Sequence, residues 1–208
     1  MDLKDRAKDM KDFFNEKIDT YDETHQKFMD SKKLVADNLP LNTSTLLDLG
    51  CGTGLELFEV VKRIPNIQIT GIDVSENMLE ELQKRPFAKQ VKTICGDFFE
   101  VDFGKNDAII STSALHHFFE DDKIRLYSKI YKSLNNNGYF INCDKIALSQ
   151  EEQDEAKYNY EYKRKKFKHL DTPLTIDNEV KLLKQVGFKN IEVKDGDKDN
   201  YRLIIAVK

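Results

Sequence analysis

The segment Asp48-Leu-Gly-Cys-Gly-Thr-Gly54 constrains this chain more than any other. It follows the apolar run Leu46-Leu47 and opens a stretch, Leu55 to Ile64, with helical spacing that stops at Pro65. An apolar run ending on glycines reads as a buried strand, and the glycines allow positive φ and close backbone approach. A ligand at such a turn meets free N–H groups at a helix N-terminus. A dinucleotide fingerprint would need glycine at position 55, which is Leu, and no Gly-Lys-Ser/Thr follows to make a phosphate loop. A tight strand-to-helix turn without a ligand is the plainer alternative.

Strand and helix patterns alternate onward. Ile67 to Ile72, Val91 to Cys95, Ala108 to Ser111 and Tyr139 to Cys143 read as strands. Ser75 can cap a helix through Arg85, and Asp121 to Leu134 is helical before Asn135-Asn-Asn-Gly138. This alternation predicts parallel strands joined by right-handed crossovers. The tail adds a helix at Ile176 to Val186 and strands at Ile191 to Val193 and Tyr201 to Val207. Their short polar link makes a hairpin, so the last strand runs antiparallel. Residues 1 to 38 read as helix, with Phe13, Phe14, Ile18, Tyr21, Phe28, Leu34 and Val35 as apolar positions.

Two further acids end strands: Asp73 in Gly71-Ile-Asp-Val-Ser, and Asp97 in Cys95-Gly-Asp-Phe. With Asp48 they are expected along the carboxyl edge of the sheet, where open α/β folds bind ligands. Asp73 is spaced from the glycines so that a carboxylate can accept ribose hydroxyls. Acids beside the glycine turn disfavour a pyrophosphate and favour a cationic group. Asp73 and Asp97 could also serve only as strand-end turn residues.

These stretches, with Asp107 to His117 and Lys132 to Asn142, resemble the class I S-adenosylmethionine-dependent methyltransferases from about Phe13 onward. The resemblance implies an α/β Rossmann-like three-layer sandwich, its seven-stranded sheet mostly parallel with the last strand antiparallel. It implies that Gly50, Cys51 and Gly52 contact the methionine moiety of S-adenosyl-L-methionine, within the loop from Asp48 to Gly54. Asp73 would hold the ribose, with Val74 and Met78 nearby, and Asp97 and Phe98 would meet the adenine. Thr112 would contact the amino-acid end, and Tyr21 would close over the cofactor. The product would be S-adenosyl-L-homocysteine.

Methyl transfer needs a nucleophile held in line about 3 Å from the methyl carbon. His116 and His117, after the fourth strand, are the candidates for orienting an acceptor or taking its proton. One of them could instead simply pack beneath the loop. A metal site from His116, His117, His169 and nearby acids has no supporting ligand spacing, so none is expected. Residues 144 to 175 are too long for a structureless loop and should form one or two helices as a lid. Tyr158, Tyr160 and Tyr162 cannot share one helical face. Lys163 to Lys166 is a local basic cluster, either a solvated face or an anion-capturing one.

The organisation expected is one methyltransferase domain over 1–208: a helical cap (1–40), a cofactor core (45–143), a lid (144–175) and a C-terminal helix and hairpin (176–208). With 33 Lys and Arg against 37 Asp and Glu, no global basic field draws the chain to nucleic acid. Three scattered cysteines, no long apolar run and no apolar leader fit a cytoplasmic protein, monomer or homodimer. A small-molecule acceptor is therefore favoured. A tRNA- or rRNA-modifying enzyme is the alternative, although Ser111-Thr-Ser-Ala lacks the Asn/Asp-Pro-Pro-Tyr pattern for exocyclic amines. A carboxy-S-adenosylmethionine synthase is another, with Lys166 standing where that group carries arginine. A cofactor-binding protein without transferase activity is a third.

Overall fold

A computed structural model describes residues 3–163, 171–196 and 200–208. Its centre is a seven-stranded sheet of order β3-β2-β1-β4-β5-β7-β6. The strands are β1 (Thr45–Leu49), β2 (Gln68–Asp73), β3 (Val91–Cys95), β4 (Asn106–Thr112), β5 (Leu134–Lys145), β6 (Lys189–Asp195) and β7 (Tyr201–Val207). Strands β1 to β5 pair in parallel, and β7 runs antiparallel to both β5 and β6. This is the expected Rossmann-like α/β sandwich.

Side chains of period two divide the core. Leu46, Ile110, Ile141 and Leu203 join one buried cluster, with Val35 of α2 (Met29–Asp37), Val60 of α3 (Leu55–Arg63) and Leu82 of α4 (Glu76–Gln83). Their chain neighbours Leu47, Ile109, Phe140 and Ile204 join the other. There they meet Leu126 and Ile130 of α5 (Glu120–Ser133) and Leu182 and Leu183 of α7 (Ile176–Val186). Each layer hides charge as well. Lys123 and Tyr127 of α5 both bond Glu179 of α7, and Lys32 of α2 donates to Glu56 of α3 at 3.0 Å. Ser75 caps α4 by accepting from the Met78 amide at 3.2 Å.

Two expectations need adjustment, the single N-terminal helix and the end of the fifth strand. The helix expected over 1–38 is broken: α1 (Leu3–His25) gives way to a 3-10 turn at Gln26–Phe28 before α2. The break lets α2 pack on the sheet's face while α1 crosses its carboxyl edge. There Asn15 accepts from Ser75 Oγ at 2.6 Å, and Asp22 accepts from Thr53 Oγ1 at 2.5 Å. Strand β5 outruns Cys143, because β7 pairs with it as far as Lys145. The expected lid contains a helix, α6 (Gln150–Lys163). On it Tyr158 and Tyr162 are exposed and face each other at 4.5 Å, while Tyr160 packs edge-on against Phe119 at 4.8 Å. Most of the Lys163–Lys166 cluster, and His169, lie outside the described residues.

Candidate functional site

A cavity opens at the carboxyl edge of the sheet, roofed by α1. The glycine turn forms its floor. Gly50 has φ +79°, and a Cβ there would sit 2.6 Å from the Cβ of Ala114. Only glycine lets that backbone pass so close to the loop after β4. Gly52 also lines the cavity, with the Tyr21 hydroxyl of α1 directly over it. The Gly52 amide donates to Asp73 Oδ2 at 2.9 Å, and the Ser75 amide to Oδ1 at 2.9 Å. Each carboxylate oxygen still has a lone pair for a ligand. Burial raises Asp73 to about 6, against the pull of those two amides.

Val74, Met78, Asp97 and Phe98 continue the lining. Asp97 Oδ1 accepts from the Phe99 amide at 2.9 Å, which fixes the carboxylate at the end of β3. Thr112 ends β4, and its Oγ1 is buried without a hydrogen-bond partner among the described residues. Such a hydroxyl implies a ligand that completes it. Beyond it stand Ser113, Ala114, His117 and Phe118, with Arg6, Ala7, Met10 and Phe14 of α1 above. Ser113 has φ +55°, a left-handed conformation rare outside glycine that recurs at functional loops.

Ten of the expected residues thus meet in one cavity: Tyr21, Gly50, Gly52, Asp73, Val74, Met78, Asp97, Phe98, Thr112 and His117. Four do not line it. Gly54 caps α3 and packs against Leu82. Cys51 turns its sulfur toward Gly71 of β2, and burial keeps its thiol protonated. Asp48 is mid-strand and wholly buried, so it does not reach the carboxyl edge. Burial and the neighbouring Glu56 hold its proton well above the usual carboxylate range.

His116 is the fourth. Expected as a neutral imidazole, it is enclosed by carboxylates instead. Its Nδ1 lies 2.6 Å from Asp144 Oδ1 and its Nε2 3.5 Å from Asp171 Oδ1. Burial alone would lower its pKa, but Asp144 and then Asp171 outweigh it and raise it to about 9. A histidine protonated at neutral pH has no lone pair for a base. Asp144 also accepts the amides of Leu115 and His116 at 2.8 and 2.9 Å. The 3-10 turn Leu115–His117 is thereby clamped to the end of β5. His117, next in chain, faces the cavity, 6.2 Å from the Phe14 ring and 3.6 Å from Asp171 Oδ1. His116, His117 and Asp171 are close enough to share a metal ion, a grouping that sequence spacing alone did not reveal. Lys145, 2.9 Å from Asp171, already supplies a cation there.

Sequence reading missed Arg6, Ala7, Met10, Phe14, Ser113, Ala114 and Phe118 as cavity residues. Phe14 was legible only as an apolar helical position, and Arg6 carried no signal.

The fold agrees with comparisons to known proteins. A family model described as a methyltransferase domain matches residues 47–140. The carboxy-S-adenosyl-L-methionine synthase of Nautilia profundicola is 28% identical over 199 residues, covering 88% of this chain and 83% of the relative. The enzyme of that name from Helicobacter pylori strain G27 is 30% identical over 178 residues, covering 76% and 74%. Human N-acetylserotonin methyltransferase, solved with S-adenosylmethionine, superposes with a TM-score of 0.66 at 19% identity. PigF, solved with S-adenosylhomocysteine, gives 0.71 at 15%. The chain is covered to 94% and 95% but spans only 55% and 59% of those longer proteins. The glycine turn, the strand-end acids and these likenesses place the chain in one family: it belongs to the class I S-adenosylmethionine-dependent methyltransferases.

Proposed function

We propose that the protein transfers a methyl group from S-adenosylmethionine to a small-molecule acceptor held beneath α1. One observation carries this reading: a single cavity joins the cofactor residues Gly50, Asp73 and Asp97 to a mostly apolar chamber of Met10, Phe14 and Phe118 beside His117. The residues present fit the cofactor. The glycine turn leaves room for its amino-acid end, Thr112 Oγ1 offers an unused hydroxyl, and Asp73 can accept from ribose. When bound, the cofactor supplies an electrophilic methyl carbon on a sulfonium. The protein's part is to orient and to exclude water: α1 and the loop after β4 enclose the chamber, and positioning supplies much of the rate. In this reading His117, which lines the chamber, orients the acceptor or takes its proton.

A second reading rests on the relatives at 28 and 30% identity, both named carboxy-S-adenosyl-L-methionine synthase. In that reading the cofactor itself is the molecule modified. One experiment separates the two. Calorimetry first measures binding of S-adenosylmethionine and its demethylated product. Mass spectrometry of the cofactor after turnover with a metabolite extract then shows either demethylation or gain of a carboxyl group. Failure to bind either cofactor form would sink both readings.

A further inference from the structure

We infer that Arg6 is the receptor for a carboxylate on the acceptor, an inference that rests on the methyltransferase reading. Arg6 lies in the second turn of α1 and lines the cavity, with its side chain 11% exposed. Nη2 pairs with Asp122 at the start of α5, and the guanidinium carbon sits 4.8 Å over the Phe119 ring. Nε and Nη1 are buried and have no hydrogen-bond partner among the described residues. A guanidinium has five N–H donors, and these two nitrogens carry three of them. Leaving buried donors of a charged group unmade is costly, so a native site that keeps them needs a partner. Ala7, Met10, Phe14 and Phe118, which line the same chamber, have no side-chain acceptor to offer.

Charge and shape give the partner's class. Asp122 already balances the guanidinium's charge, so a further anion on its open N–H groups is balanced by the cofactor's cationic reactive group in the same low-dielectric cavity. A carboxylate is planar and matches the guanidinium fork, while the aromatic walls take the body of the molecule. The carboxylate is not the cofactor's own. Tyr21 marks the amino-acid end over Gly52. Arg6 lies fifteen residues up the same helix, roughly 22 Å along its axis. Arg6 is therefore a specificity residue: it admits aryl carboxylates and rejects their neutral counterparts.

The test uses the full chain saturated with S-adenosylhomocysteine and three probes: benzoate, uncharged benzamide and phenyl phosphate. At about 20 mM, benzoate should raise the melting temperature, because a ligand that binds only the folded state stabilises it. Benzamide should have no effect and phenyl phosphate less than benzoate. Arg6→Gln should weaken benzoate by about tenfold or more and leave homocysteine-cofactor affinity within about twofold, and Arg6→Lys should recover part of the loss. The Nε–H resonance of Arg6, followed by NMR in the unaltered chain, should move with benzoate; this readout needs no variant that must fold. Four results would each overturn the inference: no benzoate response with an unmoved resonance, an equal response to benzamide, a stronger response to phenyl phosphate, or cofactor affinity lost in Arg6→Gln. The first, with cofactor binding intact, would leave the methyltransferase reading standing. Absence of cofactor binding would remove both.

Discussion

Replacing Asp144 by Asn tests whether the pair it forms with His116 is a charged clamp. Folding moves His116 from an ordinary 6.5 to about 9, with Asp144 the first of the causes that raise it. A rise of that size corresponds to about 3 kcal/mol of pH-linked stability. The pKa is raised, so the folded state holds a proton that the unfolded chain releases between pH 6.5 and 9. The contribution is complete below pH 6.5 and is lost as pH rises through 9. Asp73 acts between 3.8 and about 6, and burial pushes the Cys51 thiol above 9; Asp48, whose proton burial also holds up, adds the same slope to wild type and Asp144→Asn, so the difference between their profiles isolates the pair. Both partners are nearly buried, at 8% and 6% exposure, so solvent screening leaves most of the effect. Urea unfolding of the wild type at pH 6, 7, 8 and 9 should lose about 3 kcal/mol across that range. Asp144→Asn should cost about 2–3 kcal/mol at pH 6 and lose less than half as much on going to pH 9, with Asp171 supplying what remains. A wild-type stability flat from pH 6.5 to 9 would refute the charged clamp. So would an Asp144→Asn profile as steep as the wild type.

Three further outcomes are expected. Gly50→Ala should abolish measurable cofactor binding and cost about 2 kcal/mol, since it combines φ +79° with a Cβ 2.6 Å from Ala114; calorimetry and urea unfolding read the two effects. Affinity for S-adenosylhomocysteine should fall about tenfold between pH 7.5 and 5 as Asp73 takes a proton near 6. Asp73→Asn should bind weakly at both pH values, and a wild-type affinity unchanged at pH 5 would contradict an ionised ribose acceptor. Glu179→Gln should destabilise by about 3–5 kcal/mol, because it takes from Lys123, at 1% exposure, the buried carboxylate it pairs with. The double change Lys123→Met with Glu179→Leu should restore most of that in the same unfolding assay.

What the sequence made legible was local. Leu46-Leu47 reads as a buried strand because both neighbours are apolar and glycines stop the run. Its two residues then fall in opposite core clusters, as period two requires. Asp73 and Asp97 were legible because each ends such a run. Asp48 carries the same chemistry but sits inside β1 opposite Gly71, two register positions short of Asp73. The strand expected to end at Cys143 continued because β7, some sixty residues later, supplies hydrogen bonds that the polar pair Asp144-Lys145 gave no local hint of. The histidines show the limit most sharply. Side by side in the chain, they differ because Asp144, from the next strand, arrives against one and Phe14, from the N-terminal helix, against the other.

The half of the site proposed to hold the acceptor was the less legible half. The cofactor half is built from consecutive strand ends, whose glycines and acids leave a pattern at fixed spacing. The half proposed for the acceptor is closed by α1, which contributes Ala7, Met10 and Phe14 as ordinary helical apolar residues and Arg6 as one more surface-like cation. What makes Arg6 unusual is the company it keeps, with Asp122 more than a hundred residues away and Phe119 beneath it. Helix α1 is tied down along its length by Asn15 to Ser75 and by Asp22 to Thr53 and Arg85. Tyr21 over the glycine turn and Arg6 over the far chamber are thus held by one rigid rod. A substitution that loosens either tie should therefore weaken cofactor and acceptor binding together, whereas Arg6→Gln should weaken the acceptor alone.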